Sequence, residues 1–122
     1  MGFAVIGGIL AFLSVAVGAF GAHVISSRIS SDMLSVYHTG DQYQMYHALA
    51  LIAVGILIRL NIGGKSMHAA GWLFFIGTVL FSGSLYILST TGTKAAAIGA
   101  LTPLGGLCFL AGWVCFIVGL VR

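Results

Sequence analysis

The chain has 122 residues, of which 60% are hydrophobic and only 6% charged, with a net charge of +3. That leaves too little polar surface to cover a water-soluble globule of this size, so the composition places the chain in a membrane. The five cations, Arg28, Arg59, Lys65, Lys94 and Arg122, are scattered near the ends of apolar runs as interfacial anchors are, and no basic cluster suggests a nucleic-acid partner.

Continuous apolar runs such as "ALALIAVGILI" and "LFFIGTVLF" argue for helices and against a closed barrel, whose strands would alternate in polarity. The expected fold is all-α, a polytopic four-helix bundle forming a single transmembrane domain over residues 1–122. Its expected spans are about 2–25, 43–60, 67–88 and 102–121, each close to the roughly 20 residues that a bilayer core requires. No basic segment precedes the first run, and the run is long, so it reads as a span and not as a cleaved signal.

Between the first two spans lies "SSRISSDMLSVYHTG". Ile29, Met33, Val36 and Tyr37 share one helical face there, which predicts a short interfacial helix capped by Ser30 or Ser31 and ended by Gly40. Asp41 is then expected to cap the second span, and "NIGG" to end it. On this reading both aspartates lie outside the membrane, which argues against a small multidrug exporter of the four-helix type, while a titrating histidine leaves proton coupling open. Lys94 to Ala100 reads as a short re-entry segment, and Thr102-Pro103 as the N-cap and first position of the last helix.

Small residues recur at alternating three- and four-residue spacing in two spans. The first carries Gly7, Ala11, Ser14, Gly18 and Gly21; the fourth carries Gly105, Cys108, Gly112, Cys115 and Gly119. Each series predicts a seam along which a neighbouring helix backbone approaches closely. Cys108 and Cys115 stand about 10 Å apart along the helix axis, too far for a mutual disulfide, and read as packing residues.

Alternating spans bring the end of span one, the start of span two, the end of span three and the start of span four to one leaflet. His23, Tyr43, Gln44, His47, Ser82, Tyr86 and Thr102 are expected to gather there. Two readings stay open: a polar pocket that binds a lipid or small solute, or an interhelical hydrogen-bond network that fixes register. His23 and His47, expected at similar depth, have the placement of haem ligands, but no haem signature or metal-ligand spacing accompanies them, so no cofactor, metal or catalytic residue is expected. Trp113 reads as core packing. A one-cation excess on the side of Arg59, Lys65 and Arg122 favours both termini inside.

The segments "GAFGAH", "YQMYHALAL", "AGWLF", "LFSGSLY" and "TPLGG" together resemble, in order and over nearly the whole chain, the family catalogued as domain of unknown function 423. Its last motif usually has isoleucine where Leu104 stands. The resemblance implies a small four-helix inner-membrane protein of bacteria and supplies no activity. The functional expectation is therefore a non-enzymatic, multi-pass cell-membrane protein whose partners are membrane lipids, a second copy or another membrane protein. The alternative is a small homo-oligomeric transporter or channel with its glycine seams at the subunit interface.

Overall fold

The computed structural model describes residues 2–92 and 96–122, and the side chain of Ala96 is left aside. Four long helices follow one another: α1 (Gly2–His23), α2 (Ser31–Arg59), α3 (Gly64–Thr91) and α4 (Ala96–Val121), with one 3-10 turn (Ile25–Ser27) after α1. The fold is all-helical among the described residues. Among the described residues three stretches are long and apolar enough to cross a membrane: Gly2–Ser27, Gly64–Thr91 and Ala97–Val121. Helix α2 falls outside that group because its first turns carry the polar run from Ser31 to Gln44.

Capping chemistry sets the helix ends. Ser30 caps α2, its hydroxyl accepting the Met33 N–H at 3.2 Å. At the other end Asn61 takes a left-handed φ of 60°; its N–H donates to Ile58 O and that of Ile62 to Leu57 O, both at 2.9 Å, the paired bonds of a Schellman close. Gly63, at φ 93°, then leads into α3, so the expected breaker at "NIGG" is where the chain turns. Gly92, at φ 65°, ends α3 and donates to Leu88 O at 3.0 Å.

Two expected boundaries are corrected. No interfacial helix is separated from the second span: Gly40 lies inside the continuous 29-residue α2 and is buried against Leu85 and Tyr86 of α3. Packing against those side chains offsets the roughly 1 kcal/mol that an interior glycine costs a helix. Likewise α4 starts at Ala96, not Thr102, and contains Pro103, whose missing N–H leaves the Gly99 carbonyl without its usual helical partner. Lys94 and Ala95 of the expected re-entry segment lie outside the described residues; 96–100 belong to the start of α4.

The helices pack in chain order as a row, α1 on α2, α2 on α3 and α3 on α4, and α1 shares no extensive face with α4 among the described residues. The arrangement is thus more open than a closed bundle. Its apolar core, Leu51 and Val54 of α2, Met67, Ala70 and Phe74 of α3, and Phe109 of α4, lies along the central pair. Large apolar side chains such as Phe12, Val15, Leu107, Leu110 and Val114 face outward on the flanking helices, as they do on a lipid-exposed surface.

Both predicted seams exist, and both are filled from within the chain. On α1, Gly7, Ser14 and Gly21 are buried. A Cβ at Gly7 would stand 2.5 Å from Ala48 O, and one at Gly21 2.5 Å from the Tyr37 ring, so α2 occupies the space that side chains would take. On α4, Gly105, Gly112 and Gly119 are buried against Phe81, Phe74 and the Gly63 turn of α3. The subunit interface assigned to these seams by the transporter alternative is therefore not available.

Candidate functional site

Hydrophilic side chains enter this row in pairs that cross a helix interface. Between α1 and α2, the Ser14 hydroxyl donates to Asp41 Oδ1 at 2.6 Å. Gly18 leaves room for that carboxylate, since a Cβ there would stand 2.8 Å from Asp41 Oδ2. The Tyr37 hydroxyl passes over Gly21 and donates to Val17 O at 2.6 Å. One turn beyond Asp41, the Gln44 amide nitrogen donates to Leu10 O at 2.8 Å, and its oxygen accepts from Tyr86 OH at 2.6 Å, so a single amide joins α1, α2 and α3. Ser82 Oγ adds a 2.7 Å bond to Gly40 O. Asp41 is thus not the cap of a separate second span but an interior residue of α2 packed on α1, a correction that follows from α2 running through Gly40.

A second cluster lies on the neighbouring side of α2, towards α4. His47 is 4% exposed and stacks on Phe109, ring centroids 3.6 Å apart and planes 5° apart. Its Nδ1 stands 2.8 Å from Tyr43 O and its Nε2 3.1 Å from Trp113 Nε1. An indole nitrogen only donates, so Nε2 is the acceptor and Nδ1 carries the proton to the carbonyl; the partners assign the neutral Nδ1–H tautomer. Both ring nitrogens are engaged, which leaves neither for a metal or a haem iron without breaking an existing bond. Tyr43, Phe74, Phe81 and Trp113 surround this pair with further ring contacts.

The seven expected site residues therefore divide. Gln44, Ser82 and Tyr86 meet on the α1–α3 side, and Tyr43 and His47 on the α4 side. Thr102 joins Ser84 at 2.6 Å across the α3–α4 interface. His23 joins none of them, being exposed at the end of α1. Tyr37 already packs at the level of Gly21, and His47 lies about ten residues further along α2, about 15 Å deeper by helix rise, so the two imidazoles do not share a depth. The expected single polar pocket is corrected to separate interhelical pairs, and among the described residues no buried side-chain nitrogen or oxygen lacks a hydrogen-bond partner.

Sequence reasoning missed Asp41, Ser84, Phe109 and the polar role of Trp113. Ser14 was within reach, as a hydroxyl in a seam of glycines. No spacing signal links Trp113 to His47, 66 residues away.

The grooves that open beside these two clusters are lined mainly by apolar groups. Because the α4 backbone packs on α3 and α4 meets α2 only through side chains such as Phe109 and Trp113, a groove of about 590 Å³ runs between α2 and α4, walled by Tyr43, His47, Phe81, Leu107, Leu110 and Trp113. Gly106 lines it without a neighbour within 4 Å of where its Cβ would stand. A smaller groove of about 300 Å³ lies between α1 and α3, with Leu10, Val17 and Val79 as walls and Gln44 and Tyr86 beneath. A third hollow, about 390 Å³, sits at the Arg59 end between Phe3, Ile58, His68 and Trp72, distant from both polar clusters.

Comparison with known proteins gives a consistent result. Residues 17–106 match the family model described as "Protein of unknown function (DUF423)". The UPF0382 membrane protein YwdK of Bacillus subtilis is 49% identical over 120 residues, covering 98% of this chain and 96% of the relative. The UPF0382 membrane protein SSP2132 of Staphylococcus saprophyticus is 44% identical over 117 residues, covering 96% and 94%. A third, SH2409 of Staphylococcus haemolyticus, is 44% identical over 116 residues, covering 95% and 92%. No solved structure matches the chain. With the family model spanning most of its length and relatives aligned nearly end to end, the chain belongs to the DUF423 family of membrane proteins.

Proposed function

We propose that the chain is a non-enzymatic, four-span protein of the cell membrane that holds the apolar part of a lipid in the groove between α2 and α4. Three stretches have the length and apolarity of spans, and α2, antiparallel to α1 and α3 and longer than either, crosses with them in this reading. The observation that carries it is the state of His47. Its two nitrogens are taken by Trp113 and the Tyr43 carbonyl, so the groove presents ring faces and aliphatic walls where a polar solute would need donors and acceptors. An aromatic groove of this volume, open sideways, suits an acyl or isoprenoid chain better than a water-soluble ligand.

The test uses Gly106→Phe, which fills the groove from a position with free space. Native mass spectrometry of the purified protein after mild solubilisation is expected to show retained lipid for the native chain and none for the variant at equal thermal stability. Equal retention by both would overturn the reading.

The transporter alternative gains one observation, the Asp41 carboxylate held between α1 and α2 by Ser14, because a transporter of this size wants an acidic group inside the helix row. Flux into reconstituted vesicles that depends on Asp41 would favour it over lipid retention.

A further inference from the structure

The outward face of α2 carries hydrophilic side chains that nothing in the chain covers. Ser35, His38, Gln42 and Tyr46 recur at three- and four-residue spacing, share one helical face, and are all exposed. Lower on the same face the pattern changes to Leu49 and Ile56, both exposed and apolar. Among the described residues the side-chain polar atoms of these four have no hydrogen-bond partner, whereas every buried one does.

Their depth makes this notable. On the reading that α2 crosses the bilayer with Arg59 at one interface, Tyr46 lies about 20 Å and Gln42 about 26 Å along the helix, within a hydrocarbon core about 30 Å thick, while His38 and Ser35, about 32 and 36 Å along, reach the opposite interface. An amide turned outward there meets acyl chains that offer no donor or acceptor.

The stripe itself indicates what covers it. It contains no carboxylate and no lysine or arginine; Asp41, its neighbour, is turned to Ser14 of α1. A partner with a charged face would find no counter-charge. A glutamine amide is donor and acceptor at once, as serine and tyrosine hydroxyls are, so a second copy turned about an axis along the membrane normal sets like against like and offers each of these groups both a donor and an acceptor. The glycine seams cannot serve instead, since the chain's own helices fill them.

We propose that two copies of the chain pair in the membrane through the outward faces of α2, with Gln42 against the partner's Gln42 at the centre. The inference rests on the reading that α2 crosses the bilayer.

Oxidative cross-linking of the full chain in native membranes tests it, with Cys108 and Cys115 kept. Gln42→Cys is expected to give covalent dimer at several times the yield of the native chain, of Val15→Cys on α1 and of Leu110→Cys on α4. No dimer, equal yields at all positions, or a product containing a different protein would overturn the proposal. In a second arm, Gln42→Leu should lower the dimerisation constant read by energy transfer about three- to thirtyfold while Gln42→Asn stays nearer the native value. An unchanged constant for Gln42→Leu contradicts it. Ser31→Cys and Arg59→Cys, probed with an impermeant maleimide, separate the two readings. Labelling of both from one side removes the four-span arrangement and this pairing together, whereas labelling from opposite sides without a Gln42→Cys dimer removes the pairing alone.

Discussion

Adjacent glycines in α4 should respond to the same substitution with opposite signs. At Gly105 an added Cβ would stand 2.5 Å from Phe81 N, 2.8 Å from its Cβ and 2.9 Å from its Cα. These atoms belong to the α3 backbone or its root, so no side-chain rotation relieves the overlap, and the two helices must part by about 1 Å to restore ordinary contact. Overpacking of that kind costs about 1–3 kcal/mol, against which alanine regains about 1 kcal/mol of helix propensity over glycine. Gly105→Ala is therefore expected to destabilise by up to about 2 kcal/mol. Gly106 faces the open groove with nothing within 4 Å, so Gly106→Ala keeps only the propensity gain and should stabilise by about 0.5–1 kcal/mol. Reversible unfolding in mixed micelles, followed by circular dichroism as denaturing detergent is titrated in, measures both. Midpoints that move in the same direction by similar amounts would refute the seam argument. Gly7 and Gly8 of α1 form the same kind of pair, tight against Ala48 O in one case and open in the other.

Gln44→Leu removes the bond to Leu10 O and leaves the Tyr86 hydroxyl without its acceptor, so a loss of about 1–3 kcal/mol is expected in the same unfolding assay, with Tyr86→Phe in the Gln44→Leu background recovering part of it. His23→Ala, at an exposed helix end, should stay within about 0.5 kcal/mol of the native chain.

The packing was easier to read in the sequence than the polar pairs. Glycine and serine at alternating three and four residues leave few arrangements other than a close helix contact, and the α1 and α4 seams are where that spacing puts them. The turn at Asn61 to Gly63 was legible for a similar reason, because asparagine and glycine after an apolar run are the residues that tolerate left-handed backbone. Gly40 misled because it is a strong local stop signal, and Pro103 because proline marks the first position of a helix. At Gly40 the side chains of Leu85 and Tyr86 pack against the missing Cβ and keep the helix going, a tertiary contact that a local pattern does not contain. Reading a stop there placed Asp41 outside the bilayer and hid its bond to Ser14. His23 and His47 were assigned to one depth because both lie near expected span ends; with α2 extended back to Ser31, His47 moves to the middle of its helix and His23 stays at the end of α1. The partnership of His47 with Trp113 depends on α4 approaching α2 across α3, which only the assembled row shows.

The account turns on hydrophilic groups being closed on one another inside the row, leaving apolar grooves and one outward stripe to meet the surroundings. Nitrogen NMR of the imidazole at position 47 in lipid nanodiscs tests this most directly. The expected result at neutral pH is the Nδ1–H tautomer, with an Nε2 resonance that shifts when Trp113→Phe removes its donor; an Nε2–H tautomer indifferent to Trp113 would contradict it.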